Sequence, residues 1–311
     1  MADPGPSAPP PPPIAAPLPR SEAGGPPAVP GLAPTRPRRL WTRSRQVMLA
    51  GPIVALLLVA AALAPFLSPA DPNALNPRAK AQPPTFGHLL GTDEFGRDLL
   101  SRLLHGARIT LIVGLSSVAV AAAAGTVLGS AAAYARGPVE AGIMRVMDGL
   151  LCFPPILLGI FVVTFLGPSL RNLILVIGVL YVPRFTRVVH ASTLAIRELE
   201  YVESARALGA SAVRVVAGAI LPNIVAPILV QASLAAGHAI LLESGLSFLG
   251  LGPPPPTPSW GRMVEQSGRF MQLSVLPLLW PSAAISFTVL AFNLLGDGLR
   301  DLLDPRLRRG T

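Results

Sequence analysis

The sequence predicts an all-α membrane protein with six transmembrane helices. Three observations support this prediction: 51% of the residues are hydrophobic, only 13% are charged, and the apolar residues are grouped into long uncharged runs. A typical soluble domain has roughly 25% charged residues, so this composition is too poor in charge for a water-soluble surface. Because about 20 apolar residues cross the hydrocarbon core as a helix, a bilayer explains the runs better than a soluble core.

The predicted spans are apolar runs separated by charged residues. The fourth run is shorter than a bilayer requires, and we retain it because flanking arginines can extend to the interface and because the topology otherwise does not close. The six are Met48–Leu67, the run between Arg108 and Arg136, the run between Asp148 and Arg171, Asn172–Pro183, Val215–Leu242 and Phe270–Gly296.

The distribution of arginine predicts the orientation. Arginines precede the first span, follow the sixth, and are frequent in the loop from Arg184 to Arg214. By the positive-inside rule, these three regions lie in the cytoplasm. Residues 1–45 are then a cytoplasmic tail, disordered because its Pro- and Ala-rich part cannot bury enough apolar surface, and basic where it meets the membrane. We expect no secretory signal there, since no apolar run precedes Met48.

Two longer segments, residues 68–107 and 243–269, should then face outward. In the first, Thr92 is predicted to cap a short amphipathic helix with Asp93 and Glu94 in its first turn, which is either a solvated helix without a function beyond packing or a functional one. Its predicted ion pairs, four residues apart, are Asp93 with Arg97 and Asp98 with Arg102.

Several residues within the spans have two readings. Gly125 and Gly129 either let a neighbouring helix approach closely or are incidental glycines. Pro154 and Pro155 either serve a polar interior or produce a simple kink. His238 and Glu243 either have a functional role or are merely hydrogen-bonded or interfacial. Cys152, the only cysteine, is expected to be a small buried hydrophobe.

Several classes of function are not expected. Basic residues form no stripe interleaved with aromatics, so no nucleic-acid partner is predicted. The four histidines lack metal-ligand spacing, and a single cysteine builds no Cys-rich metal site. The phosphate-binding pattern G-x-x-x-x-G-K-[ST] is absent, and the only lysine is Lys80. We therefore expect no catalytic residues, no metal and no ATP site in this chain.

The loop from Glu200 to Asn223 carries the most informative pattern. Its first part favours a helix, Gly209 allows a turn that a residue with a Cβ resists, and a second amphipathic segment leads to Leu221 and Pro222. Such a helix-turn-helix either fits a groove on a partner protein or lies at the membrane interface as a simple helix pair.

This loop resembles the EAA loop of importer-type ABC permeases, which reads EAA, three residues, Gly, and then I-L-P after a fixed interval. In that family the loop supplies the coupling helix, which docks into a groove on the cytoplasmic ATPase. Ser204 replaces the usual Ala, a change between small residues. The matching positions, together with Ala207 inside the motif, are Glu203, Ser204, Ala205, Ala207, Gly209, Ile220, Leu221 and Pro222.

Three further stretches resemble the second permease subunit of dipeptide, oligopeptide and nickel importers. They are GTDEFGRDLLSRLLHGARITLIVG, ESGLSFLGLGPPPPTPSWGRMV and TVLAFNLLGDGLRDLLDPRLR. The resemblance implies the type I ABC importer fold in a bacterial inner membrane. It divides the chain into residues 1–45 (the tail), 46–108 (first helix and outer segment), 109–300 (the permease core, with the EAA loop at 200–223) and 301–311 (a cytoplasmic tail).

The same resemblance implies the partners and the cofactors. We expect a homologous second permease subunit, two ATP-binding subunits or one fused ATPase, and an extracytoplasmic solute-binding protein. ATP and Mg²⁺ would be bound by the ATPases, with no cofactor in this chain. The implied cargo is a di- or oligopeptide, although the motifs do not distinguish a peptide from nickel or another small solute, and no substrate-binding residue is assigned.

Two other classes of protein remain as alternatives. A self-contained secondary carrier would have internal repeats and charged residues within its spans, and would transport without partners. A structural membrane scaffold would have no associated ATPase.

Overall fold

The computed structural model describes residues 38–303, with side chains from residue 46 onward, and its regular structure is helical. In this range only two isolated bridges and no strand occur, which confirms the all-α prediction. The tails at residues 1–37 and 304–311 lie outside the described part. The helices are α1 (Arg38–Ala62), α2 (Ala64–Leu67), α3 (Leu99–Ala135), α4 (Gly137–Leu151), α5 (Pro155–Leu166), α6 (Leu170–Arg197), α7 (Glu200–Ala207), α8 (Ala212–Val215), α9 (Leu221–Phe248), α10 (Trp260–Arg269) and α11 (Leu276–Leu303).

Four helical stretches within residues 38–303 are long and apolar enough to cross a membrane: α3, α6, α11, and the continuous helical stretch Ala212–Phe248. The α4–α5 pair passes the same test only when taken together, because the two helices have 15 and 12 residues, and the pair is bent by 91° at the break. Gln46–Ala62 in α1 is apolar but shorter. These helices confirm a membrane protein, and the count of six spans stays a prediction.

The bundle is built around the parallel pair α3 and α6: residues 120, 125 and 129 of α3 follow one another in the same direction as their contacts at residues 178, 185 and 186 of α6. Gly125 lies against Phe185 and Gly129 lies against Thr186, each so closely that a Cβ atom would collide with the other helix. Towards the opposite end of the pair, Gly178 of α6 approaches Val120 of α3. Small residues bring the backbones close where lipid supplies no hydrophobic drive, so the close-packing reading of Gly125 and Gly129 is confirmed.

The fourth predicted span was wrong in its bounds. The helix does not end at Pro183 but continues through it to Arg197. Arg184 and Arg187 are exposed while Phe185 and Val189 are buried, so these arginines occupy the outer face of a helix whose other face packs against α3. The first part of the predicted Arg184–Arg214 loop is therefore helical.

The third predicted span is two helices joined by a sharp break. α4 ends at Leu151 and α5 begins at Pro155, where proline is favoured in a first turn because its missing N–H has no partner there. Pro154 and Pro155 thus mark a kink, which was one of their two interpretations. Cys152 lies in this break and is exposed, so its prediction as a buried hydrophobe was wrong.

The predicted helix capped by Thr92 was also wrong. Thr92 donates its hydroxyl hydrogen to the Ala79 carbonyl and accepts the Gln82 N–H at 2.9 Å, which ties it to a loop. Gly96 has φ +76° and lies against the backbone of Asn76, a conformation that interrupts a helix. The helix begins instead at Leu99, where Asp98 accepts the Ser101 N–H at 2.8 Å as the N-cap.

Two clusters of buried apolar residues hold the molecule together. The larger one includes Phe185 of α6, Ile240 of α9 and Trp260 of α10. A smaller one surrounds Val202 where α7 and α8 meet the ends of α3 and α6. We call this end of the bundle the Val202 end, and the opposite end, where residues 68–98 pack against α10, the Asp93 end.

Candidate functional site

The turn at Gly209 closes α7 with a pattern of two hydrogen bonds. Gly209 has φ +79°, its N–H donates to the Arg206 carbonyl at 2.9 Å, and the Ala210 N–H donates to the Ala205 carbonyl at 3.1 Å. This pair of bonds defines a Schellman motif, in which a left-handed glycine ends a helix while its last carbonyls stay bonded. The predicted turn at Gly209 is therefore present, and it is well defined.

The α7–α8 unit has its own small apolar core. Val202 of α7, Val215 of α8, Ile220 and Ile224 are each at most 1% exposed and pack together. Ala205 packs against the same cluster. Burial of each such aliphatic side chain contributes roughly 1.5–3 kcal/mol, so the turn is held against the bundle.

Polar contacts join this unit to the ends of α3 and α6. Arg197, 8% exposed, donates to the Ala133 carbonyl at the end of α3. The Arg206 guanidinium lies 4.8 Å from the ring centre of Tyr134, a cation–π contact. Arg206 therefore joins the unit to α3, and Arg197 joins the end of α6 to the end of α3 beside it.

The chain enters α9 through a widened helical turn and without interruption. Val216–Ile220 is π-helical, and α9 follows from Leu221. Asn223 donates its amide to the Ala219 carbonyl at 2.8 Å, which satisfies an acceptor of this segment. The predicted entry at Leu221 and Pro222 is a continuation of the helix, with Pro222 in its first turn, where proline is tolerated.

The residues of the predicted motif divide into a buried and an exposed set. Ile220 is buried, and Ala205 and Leu221 are partly buried. The exposed set shares the outer surface with two large apolar side chains that the motif did not single out, Leu208 at 89% exposure and Val213 at 78%. The exposed motif residues are Glu203, Ser204, Ala207, Gly209 and Pro222.

A buried charged cluster lies at the Asp93 end, where the sequence predicted ion pairs on a surface helix. The Arg97 Nε pairs with the Asp93 Oδ2 at 2.6 Å, and the Arg102 Nε lies 3.5 Å from the same oxygen. Arg102 is 2% exposed and donates to Gln266 of α10 at 3.3 Å and to the Pro72 carbonyl at 3.2 Å. The predicted Asp93–Arg97 pair is thus present but buried. Asp98 caps α3 and pairs with His88 at 2.9 Å, not with Arg102.

The Glu94 carboxyl belongs to this cluster and is 6% exposed. Burial raises its pKa above the ordinary value, and the neighbouring Asp93 charge acts in the same direction, against the opposing effect of Arg97. Both loss of hydration and a like charge disfavour the ionised form. The contacts of the cluster join the loop at Asp93 to Arg102 of α3 and Gln266 of α10. They therefore hold these three elements together.

Glu243 of α9 is fully buried within the protein, and both interpretations of its role stay predictions. It accepts the Ser247 hydroxyl at 2.7 Å. Nearby, the Trp260 indole donates to the Leu103 carbonyl at 3.0 Å, which fixes α10 against α3. The His238 Nδ1 forms a hydrogen bond with the Leu234 carbonyl of its own helix at 2.8 Å. A hydrogen-bonded histidine was one of its two interpretations.

A metal site is not formed by the side chains in the described range, since no three His, Cys, Asp or Glu residues lie close enough together to hold an ion. The apolar helical bundle, with a compact helix-turn-helix between two of its long helices, defines the class of the protein as an integral membrane protein.

Comparison with known proteins identifies the family. Residues 125–309 match the binding-protein-dependent transport system inner membrane components. The chain belongs to this family and is therefore an ABC importer permease.

Relatives align over most of the chain. A Brucella suis protein that carries a provisional name as a peptide transport system permease is 45% identical over 271 residues, covering 87% of this chain and 91% of the relative. The dipeptide transport system permease of Alkalihalophilus pseudofirmus is 42% identical, covering 82% and 84%. The glutathione transport system permease of Pectobacterium atrosepticum is 42% identical, covering 87% and 90%.

Proposed function

We propose that this chain is one of two permease subunits of an ATP-driven importer of di- or oligopeptides. The names of its relatives, which refer to peptide, dipeptide and glutathione transport, support this cargo. The six spans would be α1, α3, the α4–α5 pair, α6, α9 and α11. Both termini would lie in the cytoplasm, because the arginines preceding α1 and those from Arg197 to Arg214 favour that side.

The α7–Gly209–α8 unit is the proposed coupling helix. One observation carries this assignment: Leu208 and Val213 are 89% and 78% exposed on a unit that is otherwise anchored by its own core. Exposed apolar side chains on a rigid support suit a groove on a partner. The partner would be a cytoplasmic ATPase, of which there are two copies or one fused chain, and it would bind ATP and Mg²⁺.

The remaining partners follow from the same proposal. A homologous permease would complete the passage, and an extracytoplasmic binding protein would deliver the solute to the Asp93 end. Lipid surrounds the assembly, and no nucleic acid takes part. The division into a tail at 1–45, a first unit at 46–108, the core at 109–300 and a tail at 301–311 belongs to this proposal.

Reconstitution tests the proposal. The permease pair, the ATPases and the binding protein are placed in proteoliposomes, and uptake of radiolabelled dialanine is measured with and without ATP. We expect uptake that needs ATP and every partner. Uptake by this chain alone would indicate a secondary carrier, and a complex that takes up a nickel chelate but no dialanine would contradict the peptide cargo.

A further inference from the structure

A charged surface surrounds the break between α4 and α5. Asp148 and Arg187 form an ion pair at 2.6 Å, yet their side chains remain 55% and 52% exposed. Arg184, one turn earlier on α6, is exposed, with its guanidinium 5.1 Å from the ring centre of Tyr181. Cys152, one turn after Asp148, is exposed in the break itself. We call these four exposed residues, Asp148, Cys152, Arg184 and Arg187, the Arg184 surface.

The Arg184 surface lies near the middle of the bundle. α6 has 28 residues, so Arg184 is about 21 Å from the first residue of the helix at 1.5 Å per residue. The hydrocarbon core is about 30 Å thick. A helix of this length that crosses the bilayer therefore carries Arg184 within the hydrocarbon depth, and the ion pair to Arg187 brings Asp148 to a similar level.

Neither the charges nor the break can face lipid at that depth. Ionisable side chains in a membrane face a bundle interior or a water-filled cavity. Non-helical backbone is tolerated there only where protein covers it or water reaches it, and Cys152, Phe153 and Pro154 are exposed. Nothing in residues 38–303 of this chain covers them. Two independent features thus require the same side of the molecule to be shielded from lipid.

The sign of the charge indicates what this side receives. Arg184 and Arg187 outnumber Asp148, and Arg145, three residues before Asp148 on the same face of α4, is also exposed. Arginine binds carboxylates through two parallel hydrogen bonds. A net positive surface without a second acid among its own residues therefore suits an anionic group from another molecule.

We propose that the Arg184 surface lines the solute passage and that Arg184 binds the carboxylate of the passing peptide. This inference rests on the proposed peptide importer, because a free carboxylate is the group that unmodified linear peptides share. Because Arg187 is paired with Asp148, Arg184 is the guanidinium of α6 at this level that is available to the carboxylate.

Uptake per ATP hydrolysed tests the contact. In complete proteoliposomes, Arg184→Gln should lower dialanine uptake per ATP about tenfold, the size expected for one lost charge-assisted hydrogen bond, while Arg184→Lys retains part of it. Binding-protein-stimulated ATP hydrolysis should remain within about twofold, because the coupling unit is untouched. The matched control is Arg171→Gln, an exposed arginine at the other end of α6.

Two results would overturn this assignment. One is unchanged uptake per ATP in Arg184→Gln. The other is failure of Arg184→Gln to assemble, seen as lost permease pairing on size exclusion, which would make Arg184 a contact between the subunits.

Cysteine labelling tests the passage without any assumption about cargo. Cys152 in the assembled complex should react with membrane-impermeant thiosulfonates. The ratio of the labelling rate of an anionic reagent to that of a cationic reagent should be higher in the wild type than in Arg184→Gln. Mass spectrometry assigns the label to this chain, and Cys152→Ala is the blank. Absence of labelling in the complex would overturn the passage. Labelling without dialanine uptake would instead reject the peptide cargo.

Discussion

Gly129 of α3 lies directly against the backbone of Thr186 in α6: a Cβ atom at residue 129 would be 2.6 Å from the Thr186 carbonyl oxygen. The Thr186 side chain is turned back to its own helix, donating to the Val182 carbonyl at 2.9 Å. No flexible side-chain end can therefore move aside. The two helix backbones themselves set the distance between α3 and α6.

This contact predicts a strong effect of a single methyl group. Gly129→Ala should destabilise the protein by about 1–3 kcal/mol, the usual cost of overpacking, despite the better helix propensity of alanine. The measurement is the thermal unfolding midpoint in detergent. Gly142→Ala in α4, where nothing lies within 4 Å of the new Cβ, is the control and should be neutral or slightly stabilising. An equal midpoint for both variants would contradict the close-packing interpretation.

The Gly209 turn predicts uncoupling. Gly209→Pro removes the N–H that bonds Arg206 and forces φ near −65° where the chain needs +79°, so α7 and α8 should lose their fixed relation. Gly209→Asn, which tolerates the left-handed region better, is the matched variant. We expect binding-protein-stimulated ATP hydrolysis and dialanine uptake to be lost in Gly209→Pro and largely kept in Gly209→Asn. Both activities are measured in proteoliposomes that contain the complete importer. Full activity of the Pro variant would reject the coupling role.

The exposed face of α7 predicts an effect on ATPase binding without an effect on folding. Ala207→Glu adds a bulky charge beside Leu208 at a position that is exposed in this chain. The amount of ATPase that copurifies should fall about tenfold, which corresponds to a loss of 1.4 kcal/mol of binding free energy. The unfolding midpoint should be unchanged. Ala191→Glu on the exposed face of α6 is the control. Equal copurification from both variants would place the docking surface elsewhere.

Burial of Glu94 predicts a dependence of stability on pH. Its pKa is raised in the folded protein, so above 4.5 the unfolded state loses its proton first and the native state holds more protons. Stability therefore falls as pH rises from 4.5 through the raised pKa. Glu94→Gln should flatten this part of the unfolding curve, whereas the exposed Glu200→Gln should not. Parallel curves for wild type and Glu94→Gln would show that the carboxyl does not titrate there.

Arg102 predicts the largest loss of stability at the Asp93 end. It is 2% exposed, and Arg102→Gln removes the guanidinium that donates to the Pro72 carbonyl and to Gln266, while Asp93 keeps its pair with Arg97. Leaving a buried acceptor without its donor costs about 1–3 kcal/mol for each group. Arg78→Gln, on the exposed surface of the same end, is the control for charge alone. Chemical denaturation of the detergent-solubilised protein compares the two, and similar midpoints would mean that the buried cluster does not fasten this end.

The sequence predicted those features that a local pattern encodes. Apolar runs indicated the membrane, the pair Gly125 and Gly129 allowed a close helix contact, and Gly209 predicted the turn because few other residues adopt its φ. Each of these signals depends on neighbouring residues and needs no knowledge of the tertiary fold.

The features that were mispredicted depend on partners far along the chain. Residues 92–98 have helical spacing of charges, but Thr92 is bonded to residues 79 and 82 and Arg102 reaches Gln266. α6 runs through Pro183 and Arg184 because its other face packs on α3, which outweighs the local signals for an end. Leu208 and Val213 could have been noticed as apolar residues flanking the Gly209 turn.

α3 has 37 residues without interruption and is thus about 55 Å long. It enters the charged cluster at the Asp93 end, and its last turn holds the carbonyl and the ring that Arg197 and Arg206 contact. A helix changes its length little, so α3 acts as a single rod between the two faces of the membrane. Because no break interrupts α3, a displacement of one end along the helix axis is transmitted to the other end.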